Sequence, residues 1–374
     1  VIARPLPRRR GRIGEALAAW VVARLLVATS FAVAESVRSV LHVRGLRHLH
    51  EGLVTWDGSS YWAIAHDGYH AVGANGLRFF PLYPLLGRLA AWPIGGRDGL
   101  TLVVVTNLAA LVAMVLLGRL VEEETQDIDL ARRSVWMLAL FPAGAAMVLA
   151  DALPIVLVAS LLMFLWMRRD RWWWVAGAGL LAGLTRPTAV LLVVPVAIEA
   201  VVTARGQDSF VGRRVSVAGR VAAVASPIVG ALGYLFWVGG QFGDWLAPVT
   251  AQRRARGGFQ DPFTRLYDGV HLMVTKSQLD APNVLVGLAL VVLLIVAIRT
   301  QRASWWVYAL VTLALGLSAH DLASIGREGL VAFPFTVALA RLGEDERAMW
   351  AIVALSAGGL VVLTTMSALG TFTP

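Results

Sequence analysis

Apolar windows recur along this 374-residue chain, each closed within a few residues by arginine, proline or a polar turn. They fit near residues 13–34, 100–118, 134–150, 153–167, 172–186, 188–203, 215–238, 284–298, 303–319, 329–340 and 348–369, about eleven in all. A run of about 20 apolar residues crosses a bilayer as a helix, because a segment in hydrocarbon must satisfy its own backbone hydrogen bonds. Several windows are shorter, which predicts tilted or broken spans. At 57% apolar and 15% charged residues, the chain is too apolar for a soluble domain. It predicts an all-α polytopic membrane protein, a single unit over residues 1–374.

Arginines set the expected topology. Arg4, Arg8, Arg9, Arg10 and Arg12 precede the first window, which reads as an uncleaved signal anchor with a cytoplasmic N-terminus. Arg132/Arg133, Arg168/Arg169/Arg171, Arg213/Arg214, Arg299/Arg302 and Arg341/Arg347 then all fall in loops that the eleven-span count places in the cytoplasm. This alternation requires residues 79–94, apolar but broken by Pro81, Pro84 and Pro93, to lie in the interface without crossing. The net charge of +9 is thereby assigned to topology, and a nucleic-acid partner is not expected. With no cysteine, thiol nucleophiles, disulfides and Cys-based metal sites are excluded.

The same count puts the polar segments on one, extracytoplasmic side: the loop 35–99, the turn at Asp151, the break Thr185-Arg186-Pro187, the loop 239–283, and His320-Asp321 through Arg327-Glu328. One site is expected there. Asp57 precedes a short amphipathic helix, where its side chain suits an N-cap. Asp67, before Gly68, ends that helix against an unfavourable dipole, which leaves it open to substrate contact. His66 has no second histidine at metal spacing and reads as a hydrogen-bonding residue. Asp127-Ile128-Asp129 has the spacing of a metal-binding carboxylate pair but falls in the cytoplasmic loop, as a solvated acidic face. No metal or other cofactor is expected. Arg186 reads either as a snorkelling anchor or as a fork for phosphate oxygens. Arg253, Arg254 and Arg256 break the positive-inside pattern, and anionic lipid headgroups or a lipid-linked phosphate would each account for them.

Trp56-Asp57 followed by Phe79-Phe80-Pro81-Leu82-Tyr83-Pro84 resembles the start of the GPI mannosyltransferase II (PIG-V) family. Thr185-Arg186 resembles that family's Ser/Thr-Arg element, and Arg327 with Phe333-Pro334 its Arg-Tyr-x-x-x-x-Phe-Pro element, Glu328 standing in place of the tyrosine. Gly243-Asp244 with Ala251-Gln252 matches a further stretch, with Trp245 where proline is usual. The resemblance implies a GT-C bundle with interfacial helices in the first outer loop, moving mannose from a polyprenyl-phosphate-linked donor to a lipid-linked or glycan acceptor among membrane lipids. It implies Asp57 as the general base. Implied substrate-binding residues are Trp56, Tyr61, His66, Asp67, Arg78, Phe79, Phe80, Tyr83, Arg186, Gln252, Arg253 and Arg327. A transporter or lipid-carrier flippase is the rival class; it would need polar residues at mid-membrane depth in several spans, which the windows largely lack.

Overall fold

In the computed structural model the described residues are 9–41, 47–96, 98–206, 217–275, 281–320 and 322–373; Arg4, Arg8, Arg213, Arg214 and Asp321 lie outside them. Helices satisfy their own backbone groups, and among the described residues there are eighteen α-helices and no strand. The long loop after α1 (Arg9–Leu41) holds α2 (Arg47–Glu51), α3 (Asp57–Asp67), α4 (Gly73–Gly76) and α5 (Leu82–Ala91). Then come α6 (Asp98–Thr125), α7 (Ile128–Ala139), α8 (Leu153–Met167), α9 (Trp172–Gly183), α10 (Val193–Gly206) and α11 (Val217–Phe242). A second long loop holds α12 (Ala247–Ala255) and α13 (Pro262–Thr275). The chain closes with α14 (Ala281–Thr300), α15 (Ala303–Leu317), α16 (Ile325–Val331), α17 (Pro334–Leu342) and α18 (Glu346–Ala368).

Among the described residues six segments are long and apolar enough to cross a membrane: Ile13–Val40, Asp98–Thr125, Pro187–Ala204, Val217–Phe242, Ala281–Thr300 and Glu346–Ala368. The protein is a multi-pass membrane protein. The other five windows are shorter or broken helices, and prolines account for three of the breaks. The window 134–150 leaves α-helix at Ala139, ahead of Pro142; 172–186 ends ahead of Pro187; 329–340 is split between α16 and α17 at Pro334. A proline lacks the amide donor and clashes with the preceding turn. The segment around Pro81 and Pro84 turns into α5, whose ten residues extend about 15 Å, too short to span.

Helix packing sets where the breaks fall in space. A Cβ on Gly183 would stand 2.2 Å from the Pro227 carbonyl oxygen, and one on Gly230 2.3 Å from that of Leu180. Only bare backbone permits this contact between α9 and α11, the small-residue packing common between membrane helices. It holds the end of α9, and hence Arg186, at a set depth. Behind it, Phe333 is wholly buried, with Phe164 and Trp305 each edge-on to it at 5.0 Å.

The two ends of the bundle differ in chemistry. At one, Arg168 and Arg302 both pair with Glu124, Arg302 reaches Glu199 at 3.1 Å, and Arg169 reaches Glu123 at 2.6 Å. Asp127 there caps α7, accepting from the Leu130 amide at 2.8 Å, and lies 3.8 Å from Arg341. The loops expected on the cytoplasmic side thus meet one another. At the other end the short helices of the two long loops gather around a polar cavity.

Candidate functional site

The site begins at a backbone kink. Trp56 takes φ +57°, a left-handed conformation that costs a non-glycine residue roughly 1–3 kcal/mol unless its surroundings enforce it. Here its ring stacks on His48 at 3.9 Å and its indole N–H donates to the Ser367 carbonyl at 3.3 Å. The next residue, Asp57, opens α3. Gly58 lies so close to Ala150 that a Cβ would stand 3.0 Å from its carbonyl oxygen, and the Ala150 amide donates to the Leu53 carbonyl at 2.8 Å. The start of α3 is therefore seated beside Asp151. Gly58→Ala should force the two apart at a cost of about 1–3 kcal/mol. We expect a lower thermal midpoint in detergent; an unchanged midpoint would show that the seat has slack.

Asp57 does not cap its helix. Its Oδ2 takes Arg327 Nη1 at 2.5 Å and its Oδ1 lies 3.6 Å from Arg78 Nη2. The cap expected from sequence yields because Arg327 is almost fully enclosed and needs a counter-charge. Asp151 is the second carboxylate, its Oδ2 3.6 Å from the same Arg327 nitrogen and its Oδ1 accepting from the Leu153 amide at 2.7 Å. Its turn was expected on the side of the site but its carboxylate was given no role there; the signal for one was a lone acid in the apolar run MVLADALPIV.

Burial pushes the Asp57 carboxyl up, yet Arg327, Arg78 and Arg186 together outweigh it and hold the group below the usual carboxylate range. Asp151 goes the other way: burial pushes it up, Asp57 adds to that, and Arg186 and Arg327 do not fully compensate. Two adjacent carboxyls are thus driven apart in acidity, a pattern characteristic of acid–base sites. Burial would lower Arg327, but Asp57 and Asp151 raise it on balance, so it stays charged.

Asp57 and Arg327 line a cavity of about 260 Å³, with Asp151 held on Arg327 outside that lining. Of the residues expected from sequence, Trp56, Asp57, Tyr61, Arg78, Phe79, Phe80, Arg186, Gln252 and Arg327 line it together. Tyr83 stands behind the wall, edge-on to Tyr61 at 4.8 Å, with its hydroxyl on Thr106 at 2.7 Å. Two more tyrosines pin the 77–80 segment, Tyr69 donating to the Phe79 carbonyl at 2.7 Å and Tyr234 to that of Leu77 at 2.9 Å. The Leu82 amide donates to the Leu184 carbonyl at 3.0 Å, tying this segment to the break that carries Arg186. Arg186 Nη1 is buried without a hydrogen-bond partner. Around the cavity Arg78, Arg186 and Arg327 face Asp57 and Asp151, while Arg256 is neutralised by Glu328 at 3.0 Å. That excess of positive charge and the unused donor suit an anion.

Other expected residues fall elsewhere. Asp67 is exposed at the far end of α3, about 15 Å along the helix from Asp57. Arg253 is exposed on α12 and does not line the cavity, whereas Gln252 and Arg256 do. His66 joins the end of α3 to the start of α6 through Asp98 Oδ2 at 2.8 Å from Nδ1. The hydrogen bond to Asp98, with nearby Asp67, raises the imidazole above its usual range, against the pull of Arg88. Because the folded pKa is raised, the pair stabilises fully below the unfolded value of about 6.5 and is lost as pH rises through the folded one. His66→Gln should therefore lower the thermal midpoint in acid and converge on the parent at alkaline pH; a constant gap would mean that packing, not charge, is what His66 supplies. Among the described residues no three His, Cys, Asp or Glu side chains gather in a way that could hold a metal ion.

Fold and site together define an all-helical multi-pass membrane protein with a polar, arginine-rich cavity at one end of its bundle. No protein-family profile and no curated protein matches the chain. One solved structure similar to it is the crystal structure of the Archaeoglobus fulgidus oligosaccharyltransferase in complex with zinc and sulfate, at 15% identity and a TM-score of 0.40. The match covers 79% of this chain and 44% of that one, so the chain spans less than half of that structure's length.

Proposed function

We propose that the whole chain is a GT-C-type glycosyltransferase, of the PIG-V-like class, moving a mannosyl residue from a polyprenyl-phosphate donor to a glycolipid or glycan acceptor outside the cytoplasm. The observation that carries this reading is one cavity in which a carboxylate, Asp57, sits beside Arg327 while a buried guanidinium nitrogen of Arg186 has no partner. An acceptor hydroxyl gives its proton to Asp57 as its oxygen attacks the anomeric carbon. The bond from that carbon to the phosphate oxygen breaks, and Arg186 with Arg327 stabilises the charge left on the departing polyprenyl phosphate. Tyr61, Phe79 and Phe80 form the wall against the sugar. The lipid tail lies among the apolar helices, its phosphate at the outer interface.

The test is a purified-protein assay with radiolabelled polyprenyl-phosphate mannose and membrane glycolipids as acceptors. We expect release of polyprenyl phosphate and label in the glycolipid fraction. No consumption of the mannose, glucose or galactose donor would reject the enzyme class, and use of another sugar alone would reject mannose. Sidedness is read separately in this cysteine-free chain: Ser59→Cys and Asn75→Cys should react with an impermeant thiol reagent in intact cells and Thr125→Cys should not. The reverse pattern would place the cavity in the cytoplasm.

A further inference from the structure

Beside the first cavity opens a second of about 1030 Å³, and Arg78, Phe79 and Ala255 line both. Helix α3 divides them. Asp57 and Tyr61, four residues apart and so on one helix face, line the smaller cavity, while Ser59, Ser60, Trp62 and Ala63 line the larger. The two oxygens of Asp57 are used unequally: Oδ2 is held by Arg327, and Oδ1 lies on the side of Arg78, within the shared wall.

We propose that the larger cleft is the acceptor site and that it takes a hydroxyl-rich glycan head of several sugar rings, delivering one hydroxyl past Arg78 to Asp57 Oδ1. This rests on the glycosyl-transfer reading for the fate of that hydroxyl; the binding itself does not. Three features of the cleft select the ligand. Its serines, Asn75, Glu51 and Arg254 offer hydrogen-bond donors and acceptors together, which matches hydroxyls that both donate and accept. Trp62, exposed in the cleft, adds aromatic surface for the C–H faces of sugar rings. Among the described residues Val54 and Val72 are its lining aliphatics larger than alanine, so an isoprenoid or acyl chain would find few aliphatic side chains to pack on. Size decides between one ring and several. The cleft holds about four times the volume of the inner cavity, at the top of the roughly 300–1,000 Å³ usual for small-molecule sites, so a single sugar would leave most of it unfilled.

The test uses single cysteines in purified full-length protein: Asn75→Cys in the cleft and Thr188→Cys in the inner cavity, each labelled with a small thiol reagent. The probes are mannotriose, maltotriose, chitotriose, methyl mannoside and polyprenyl phosphate. At least one trisaccharide should slow labelling of Asn75→Cys by about tenfold when present at ten times its Kd, and leave Thr188→Cys unchanged. Methyl mannoside at the same concentration should protect neither position, and polyprenyl phosphate should protect Thr188→Cys alone. Adding Trp62→Ala should abolish trisaccharide protection while protection of Thr188→Cys by polyprenyl phosphate persists, which also reports that the variant is folded. Protection of Asn75→Cys by polyprenyl phosphate, or by no trisaccharide at all, would overturn the assignment. If the protein transfers no sugar yet a trisaccharide still protects Asn75→Cys, the enzymatic reading falls and the cleft stands. If transfer proceeds without such protection, the cleft assignment falls alone.

Discussion

Asp57→Asn is expected to lower the rate of sugar transfer by roughly 10²–10⁴-fold, the usual contribution of a positioned general base. Asparagine keeps the shape and can still accept from Arg327, but it cannot take the acceptor's proton. The competing account is that Asp57 serves only as the counter-ion of Arg327, and breaking a buried pair can cost about 3–5 kcal/mol of stability. Asp151, 3.6 Å from the same guanidinium nitrogen, limits that loss, so thermal midpoint and donor binding should fall far less than the rate. Asp57→Glu, which retains the charge, provides a folded comparison.

The pH profile separates the two carboxyls. A base works only when deprotonated, so kcat/KM falls as pH drops through its pKa. Asp57 is held below the ordinary aspartate range by its arginines, so its acid limb should lie below that of an ordinary aspartate. Asp151 is pushed above that range, and its acid limb would begin at higher pH. Near-normal transfer by Asp57→Asn together with the higher limb would move the base to Asp151.

Arg186→Ala should weaken the donor by roughly 10- to 150-fold, the worth of a charged hydrogen bond of about 1.5–3 kcal/mol. Lysine at this position keeps the charge without the planar fork and should fall between. Stability should respond differently. Arg186 Nη1 has no partner in the protein, whereas Arg327 holds both Asp57 and Asp151. Arg327→Ala removes the nearest partner of Asp57 and a counter-charge of the buried Asp151, and its thermal midpoint should drop well beyond that of Arg186→Ala. Equal donor affinity in the parent and Arg186→Ala would return Arg186 to the role of a membrane anchor.

Much of the site could be read because polar residues in an apolar chain need reasons to be there. Trp56-Asp57, the Phe79–Pro84 run, Arg186 and Arg327 were each conspicuous, and they line or back one cavity. Asp67 was the neighbour in sequence most open to sharing the role, but ten residues of helix carry it about 15 Å away. Arg253 was the expected contact, yet Arg256 is the one that lines the cavity. They differ because Gln252 and Arg256, four apart, share a helix face, while Arg253 points about 100° round from Gln252.

The sequence by itself determined the class: apolar windows make membrane helices, and Pro187 marks where one of them stops, whereas the breaks ahead of Pro142 and at Pro334 fall inside windows that read as continuous. Those are local properties, settled by a residue and its near neighbours. Only the tertiary structure decided which acid meets which arginine. Asp57, Asp151 and Arg327 come from segments 94 and 176 residues apart in successive steps, and they meet because Gly58 seats α3 on Ala150 and because the enclosed Arg327 requires counter-charge. Buried charge is neutralised by whatever partner packing delivers, and no local pattern states that partner.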